Sequence, residues 1–261
     1  MLNTDFHTQS KYSDGESSIR EMILAAIKKK FKAIAITDHI PLPFTNNAAM
    51  SLQNLDKYRS EVQKLKKEFE EKIEVLMGLE IDYYAKELPW IKDIIVQGWD
   101  MVIGSVHFSR HLKENGLPYQ VDYHSEFEAT LKEAFKGDIR ALCKEYYSLV
   151  QEMVRLDLFD QIGHIDLVKE FNAENKYFDE GSSWYRNLVM ETIDVIKNHS
   201  IIVEINTSGF DKPRKEQYPS LWIIKECKKN GIKMRVNSDA HSPSKVGRYF
   251  EKMEKLLEGT E

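Results

Sequence analysis

At 261 residues, with 42% hydrophobic and 30% charged side chains, the chain has apolar material for one large core or two small ones. Its formal net charge of -5, with no basic stripe, argues against a long nucleic acid or an anionic membrane as partner. No run of ~18 apolar residues marks a membrane span. Cys143 and Cys227 share no metal or redox spacing and are expected as buried thiols on helices in a reducing compartment. With only Met1 to Thr4 ahead of the first polar cluster, no signal peptide is expected, and the cytoplasm is the expected location.

Leu2 to Phe6 reads as a short buried strand. Ser17 is read as the N-cap of a helix that carries Ile19, Met22, Ile23, Ala26 and Ile27 at helical spacing. Lys28-Lys29-Lys30 end it with charges that complement the helix dipole. Lys32 to Thr37 is a second strand ending at Asp38-His39, and Pro41 and Pro43 impose a loop. Leu52 to Lys72 is a long charged helix with an apolar stripe at Leu55, Tyr58, Val62, Leu65 and Phe69. Lys72 to Leu79 is strand three, closed by Glu80; a short helix spans Glu87 to Gln97. Asp100 to Val106 is strand four, closed by His107. Residues 108 to about 125, with Gly116 and Pro118, read as a long loop over a site.

Glu126 to Leu158 is helical, broken near Gly137-Asp138. Phe159 to Gly163 is strand five, ending at His164, and Gly181 to His199 holds a helix. Ile201 to Ile205 is strand six, followed by Asn206; a helix runs from Tyr218-Pro219 to Lys229, with Gly231 as its stop. Lys233 to Asn237 is strand seven, ending at Asp239 and His241, and Ser244 to Leu257 closes the chain. Short apolar strands alternating with helices give a parallel sheet or a closed barrel. Polar residues at each strand end favour the barrel, because it gathers its strand ends around one mouth.

His7, Asp14, His39, Glu80, His107, His164, Asp239 and His241 all stand at or just after strand ends, and five of the chain's eight histidines are among them. His111 and His124 fall outside the set, and His199 sits where helix-dipole compensation is the simpler role. Mixed imidazole and carboxylate ligands suit zinc, manganese or iron. So many ligands exceed one tetrahedral site, so two or three divalent metals are expected, with Glu80 as the natural bridge. Such a site lowers the pKa of a shared hydroxide and polarises phosphoryl oxygens, the machinery of phosphoester hydrolysis.

The ordered set Asp5-Phe6-His7, Ser13-Asp14-Gly15, Thr37-Asp38-His39, Gly78-Leu79-Glu80, Gly104-Ser105-Val106-His107, Gly163-His164-Ile165-Asp166, Glu204 to Gly209 and Ser238-Asp239-Ala240-His241 resembles the polymerase-and-histidinol-phosphatase (PHP) family, in its histidinol-phosphatase branch. The resemblance covers essentially the whole chain and implies one domain over residues 1–261, a distorted seven-stranded β/α barrel with a trinuclear metal site. It implies one metal at His7, Glu80 and Asp239, a second at Glu80, His107 and His164, and a third at Asp14, His39 and His241. The chain departs from the family at Gln9, where the pattern His-x-His usually has its second histidine. A neutral amide oxygen is a weak ligand, so the first site is expected to be weakened, taken by a harder metal, or empty.

The implied reaction is hydrolysis of L-histidinol phosphate, a step of histidine biosynthesis. Asp239, His241 and Glu80 are the catalytic candidates. Lys212, Arg214, Ser105 and Ser208 are candidates for holding the phosphate, and Asp122 or Glu126 for facing a substrate amine. The rival readings are a PHP phosphoesterase for another small phosphomonoester or nucleotide, a metal-dependent amidohydrolase, and a binding protein that has lost catalysis. The amidohydrolase fits less well because Glu80, not a strand-borne lysine, is the bridge.

Overall fold

The computed structural model describes residues 2–259. Seven strands form one all-parallel sheet in the order β1 (Thr4–Asp5), β2 (Ala33–Ile36), β3 (Glu74–Asp82), β4 (Met101–Ser105), β7 (Gln161–Ile162), β8 (Ile202–Asn206) and β9 (Met234–Asn237). The sheet nearly closes into a barrel. Beyond the ends of β1 and β9 the two edges meet at a parallel bridge between Thr8 and Ala240, with Gln9 N–H donating to Ala240 O at 2.8 Å. Asp5 adds to the seam by accepting from the Ser238 hydroxyl and, at 2.9 Å, its N–H.

Helices surround this sheet: α1 (Ile19–Lys28), α2 (Leu55–Glu68), α3 (Leu88–Ile95), α4 (His124–Ala129), α5 (Ile139–Val154), α6 (Ser183–Ile196), α7 (Leu221–Lys229) and α8 (Phe250–Glu258). The strand alternation places Ile34 and Ile36 in one buried cluster with the helix faces, running from Ile19 to Met253. The inward positions Ala35, Met101 and Ile103 form a small apolar plug with Phe6 and Leu76. Each large aliphatic side chain buried this way contributes about 1.5–3 kcal/mol. Cys143 and Cys227 are buried free thiols on α5 and α7. Among the described residues no helix is long and apolar enough to cross a membrane.

Several local expectations change. The α1 cap is Ser18, one residue later than expected, because Ser18 and Glu21 complete a reciprocal capping box. Strand three does not stop at Glu80 but runs to Asp82, paired with β4 as far as Ser105. Residues 108–125 are not an open loop. They hold an antiparallel hairpin, β5 (Phe108–Leu112) and β6 (Pro118–Gln120), turning at Gly116 with φ +80°. The long helix breaks where expected: Gly137 takes φ +84° and the Asp138 carboxylate caps α5. The helix after Tyr218-Pro219 begins at Leu221, past the cap residue Ser220.

Helix α2 is tied to the sheet by one buried hydroxyl. Tyr58 Oη lies 2.7 Å from Ile36 O and 2.8 Å from Gly78 O, bridging the end of β2 and the middle of β3. Replacing Tyr58 with Phe removes this donor without changing the packing shape. The expected loss is about 1–2 kcal/mol of unfolding free energy, read from denaturant melts as a lower midpoint at unchanged slope.

Candidate metal centre

The barrel brings its strand ends to one mouth, and the polar residues follow. His7 and Gln9 come from the turn after β1, His39 from beyond β2 and Glu80 from the end of β3. His107 follows β4, His164 follows β7, and Asp239 and His241 follow β9. Asp14 reaches the mouth from the loop before α1. That loop is shaped by buried Asp38, which accepts from the N–H groups of Ser10 and Ser13 and from both hydroxyls, at 2.5–3.1 Å. Gly163 permits the close approach of β7 to β4, since a Cβ there would lie 2.3 Å from Ser105 Oγ.

Glu80 is the hub. Its Oε2 lies 2.9 Å from His7 Nε2 and 3.4 Å from His39 Nε2; its Oε1 lies 3.2 Å from His164 Nε2 and 3.8 Å from His107 Nε2. Two further carboxylates, not singled out from the sequence as site residues, hold the rings from behind. Asp82 accepts from His39 Nδ1 at 3.0 Å and His107 Nδ1 at 2.8 Å. Glu204 accepts from His7 Nδ1 at 2.8 Å and from the His164 N–H at 2.9 Å. A carboxylate only accepts, so Nδ1 carries hydrogen in His7, His39 and His107, and Nε2 is turned toward the cavity. Asp82 was findable: it stands two residues from Glu80, on the same face of one strand. Glu204 is the one charge in the apolar run Ile201–Ile205.

The electrostatics are those of buried opposite charges. Burial alone would lower the histidine pKa values, but the surrounding carboxylates reverse this. His7 and His39 are raised well above the ordinary value, and His107 is raised to about 9. Burial likewise opposes ionisation of Glu80 and Asp82, and the histidines overturn it. Glu80 is held well below the usual carboxylate range and Asp82 at about 2. The site is a store of negative charge that demands cations.

The residues fit divalent metals. Asp14, His39 and His241 bring one ligand atom each within 4.8 Å of one another, and so do His39, Glu80 and His107. Asp14 Oδ1 is buried and has His241 Nε2 3.3 Å away. His107 Nε2 and His164 Nε2 face each other at 3.3 Å. Asp239 has φ +51° and its carbonyl accepts from Arg248 Nη2 at 2.7 Å. Its carboxylate lies 3.6 Å from His7 Nε2 and accepts from Asn206 and Ser208.

The cavity above this floor has a volume of about 370 Å³. Ser208 and Lys212 line it, as do Lys245 and Arg248, which were not foreseen. Arg214 does not line it; its Nε donates to Glu180 at 3.0 Å. Ser105 is fully buried under Gly163 and does not reach it. Asp122 lines the cavity, whereas Glu126 pairs with Lys113 away from it. A larger cavity of about 470 Å³ opens at the opposite end of the barrel, among Met101, Ile202 and Lys233, and holds none of the clustered ligand residues. His199 accounts for itself in an ion pair with Asp157 at 2.6 Å.

Because Asp82 sets two rings at once, Asp82→Asn is expected to weaken divalent-cation binding ~10- to 100-fold. Competition against a chelating indicator measures this, with circular dichroism showing the fold retained.

Comparison with known proteins agrees with this geometry. The PHP domain model matches residues 5–208. A probable histidinol-phosphatase of Deinococcus radiodurans is 32% identical over 234 residues, covering 88% of this chain and 83% of the relative. The histidinol-phosphatase of Bacillus subtilis is 30% identical over 270 residues, covering 96% and 98%. The crystal structure of a Lactococcus lactis histidinol phosphate phosphatase, complexed with zinc, L-histidinol and phosphate, superimposes with a TM-score of 0.78 at 24% identity, covering 100% of this chain and 94% of that one. With its family model matched over most of its length, the chain belongs to the PHP family.

Proposed function

We propose that this protein is a metal-dependent histidinol-phosphatase, a single-domain enzyme that hydrolyses L-histidinol phosphate to L-histidinol and phosphate. The observation that carries the chemistry is the Glu80 hub, with imidazoles turned toward the cavity by Asp82 and Glu204. The substrate rests on two relatives, at 32% and 30% identity, that carry the histidinol-phosphatase name. The solved Lactococcus complex, with zinc, L-histidinol and phosphate, supports the same choice.

Asp14, His39, Glu80, His107, His164 and His241 would hold more than one divalent cation, zinc, manganese or iron by the donor set, with His7 and Asp239 beside them. Bound there, such cations lower the pKa of water and polarise phosphoryl oxygens. The chain's own residues do the rest. Lys212, Lys245 and Arg248 put positive charge on the cavity wall, where a phosphate dianion would lie. Lys212 is steadied by Glu170 at 3.1 Å, and Arg248 by Asp211 at 3.0 Å. Glu80 and Asp239 stay ionised through the neutral range, so they orient and bind and do not donate protons. His241 Nδ1 faces the Asp239 carbonyl at 3.1 Å, which leaves its Nε2 for a cation. The cavity suits a small phosphate ester.

Phosphate release from L-histidinol phosphate, an aryl phosphate and a nucleotide monophosphate tests the substrate. A strong preference for the first, abolished by chelation and restored by metal, is expected; equal rates on all three would refute the assignment. His107→Ala is expected to lower turnover by ~10³-fold or more with the fold intact, and unchanged turnover would end the metal reading. Metal uptake must displace protons from histidines whose pKa values are raised, His107 to about 9. Apparent metal affinity should therefore rise as pH increases from 6 to about 9, with protons released on binding, as calorimetry in buffers of different ionisation heat would read.

A further inference from the structure

The three metal positions expected from the family pattern are not equivalent here. At the second and third positions the candidate ligand atoms face one another, with no other side chain between them. Asp14 Oδ1 lies 3.3 Å from His241 Nε2, Glu80 Oε1 3.2 Å from His164 Nε2, and His107 Nε2 3.3 Å from His164 Nε2. An imidazole has one lone pair for a metal, so His39 serves only one ion. Giving it to Asp14 and His241 leaves Glu80, His107 and His164 for the other, three protein ligands for each.

At the first position the ligand atoms already have protein partners. Gln9 Nε2 donates to Glu80 Oε2 at 2.6 Å and stands 3.5 Å from His7 Nε2. The amide assignment follows from its neighbour, because Glu80 only accepts. Gln9 is fully buried and cannot swing out to solvent. The Glu80 oxygen that would reach a first metal therefore has three protein neighbours, the Gln9 amide, His7 and, at 3.4 Å, His39. Asp239, the remaining ligand, has its outer oxygen on the Asn206 amide at 3.2 Å and the Ser208 hydroxyl at 3.3 Å. His7 has Glu204 behind it and Glu80 ahead. Neither group of ligand atoms converging within 4.8 Å includes His7 or Asp239.

We propose that this chain is built for two metals and not three: the Gln9 carboxamide occupies the first position and donates a neutral hydrogen bond to Glu80 where a divalent cation would otherwise sit. Glu80 then ligates through one oxygen and is held by Gln9 and His7 through the other. His7 then hydrogen-bonds Glu80 directly at 2.9 Å, with Asp239 Oδ1 3.6 Å from the same nitrogen. The inference rests on the metal reading of the site, not on the identity of the substrate.

The test is metal stoichiometry. Apo protein and its Gln9→His variant are loaded with zinc or manganese, freed of excess by gel filtration, and counted by elemental mass spectrometry. Two equivalents per chain are expected in the native protein and three in the variant. His7→Asn should then leave the native count at two and reduce the Gln9→His count from three to two, which also discounts metal on surface histidines. Three equivalents in the native protein would overturn the proposal, since the amide oxygen would then be a ligand. So would a variant that stays at two. Phosphatase assays on the same loaded samples keep the questions apart: two equivalents without hydrolysis of L-histidinol phosphate would sink the substrate assignment and leave this inference standing.

Discussion

A buried carboxylate at the mouth of a barrel is the constraint on which the rest depends. Glu80 is almost wholly removed from water and within 4 Å of four imidazoles. An isolated ionised carboxylate in such a place would be prohibitively costly. It persists because the strands deliver histidines to it and because Asp82 and Glu204 fix those histidines from behind. This arrangement of ligand, imidazole and outer carboxylate explains why three acidic residues sit under a site whose job is to gather cations. Among the buried groups, each charge is answered by another, so the cluster tolerates few single changes.

The geometry is held in place by quieter devices. Asp38 folds the Gln9–Asp14 segment by taking four hydrogen bonds from two serines. Arg248 grips the carbonyls of Ser238 and Asp239 and so holds the left-handed residue that carries a ligand. The hairpin after β4 is hooked back on the site, with Val121 N–H donating to His107 O at 3.0 Å. The apolar plug of Ala35, Met101 and Ile103 fills the barrel below.

Much of this was legible in the sequence because each element announces itself twice. A short apolar run marks the strand, and a histidine or acid just past it marks the mouth, as Lys32–Thr37 with His39 shows. What escaped did so for physical reasons. Asp82 escaped because strand three, read from the sequence as ending at Glu80, runs two residues further. The hairpin was hidden because its strands alternate poorly and β5 is largely exposed. Arg214 and Arg248 cannot be ranked by composition; which one faces the cavity depends on how two loops pack, and Asp211 and Glu180 decide it. Ser17 and Ser18 are equivalent by type, and only the reach of Glu21 separates them.

The Arg248 grip has a consequence for where this protein can be cut. Arg248 lies two residues before α8, whose Phe250 stacks on Phe31 with rings 5.7 Å apart. A segment ended at residue 208, where the family match stops, would lack the seventh barrel strand, Asp239, His241 and the arginine that holds them. A fragment ended just after His241 would contain each candidate ligand and keep the seam to Asp5 and Gln9, but lose the Arg248 bonds to the Ser238 and Asp239 carbonyls. The smallest piece that keeps this grip therefore extends past the final candidate ligand to Arg248 and the helix that follows it.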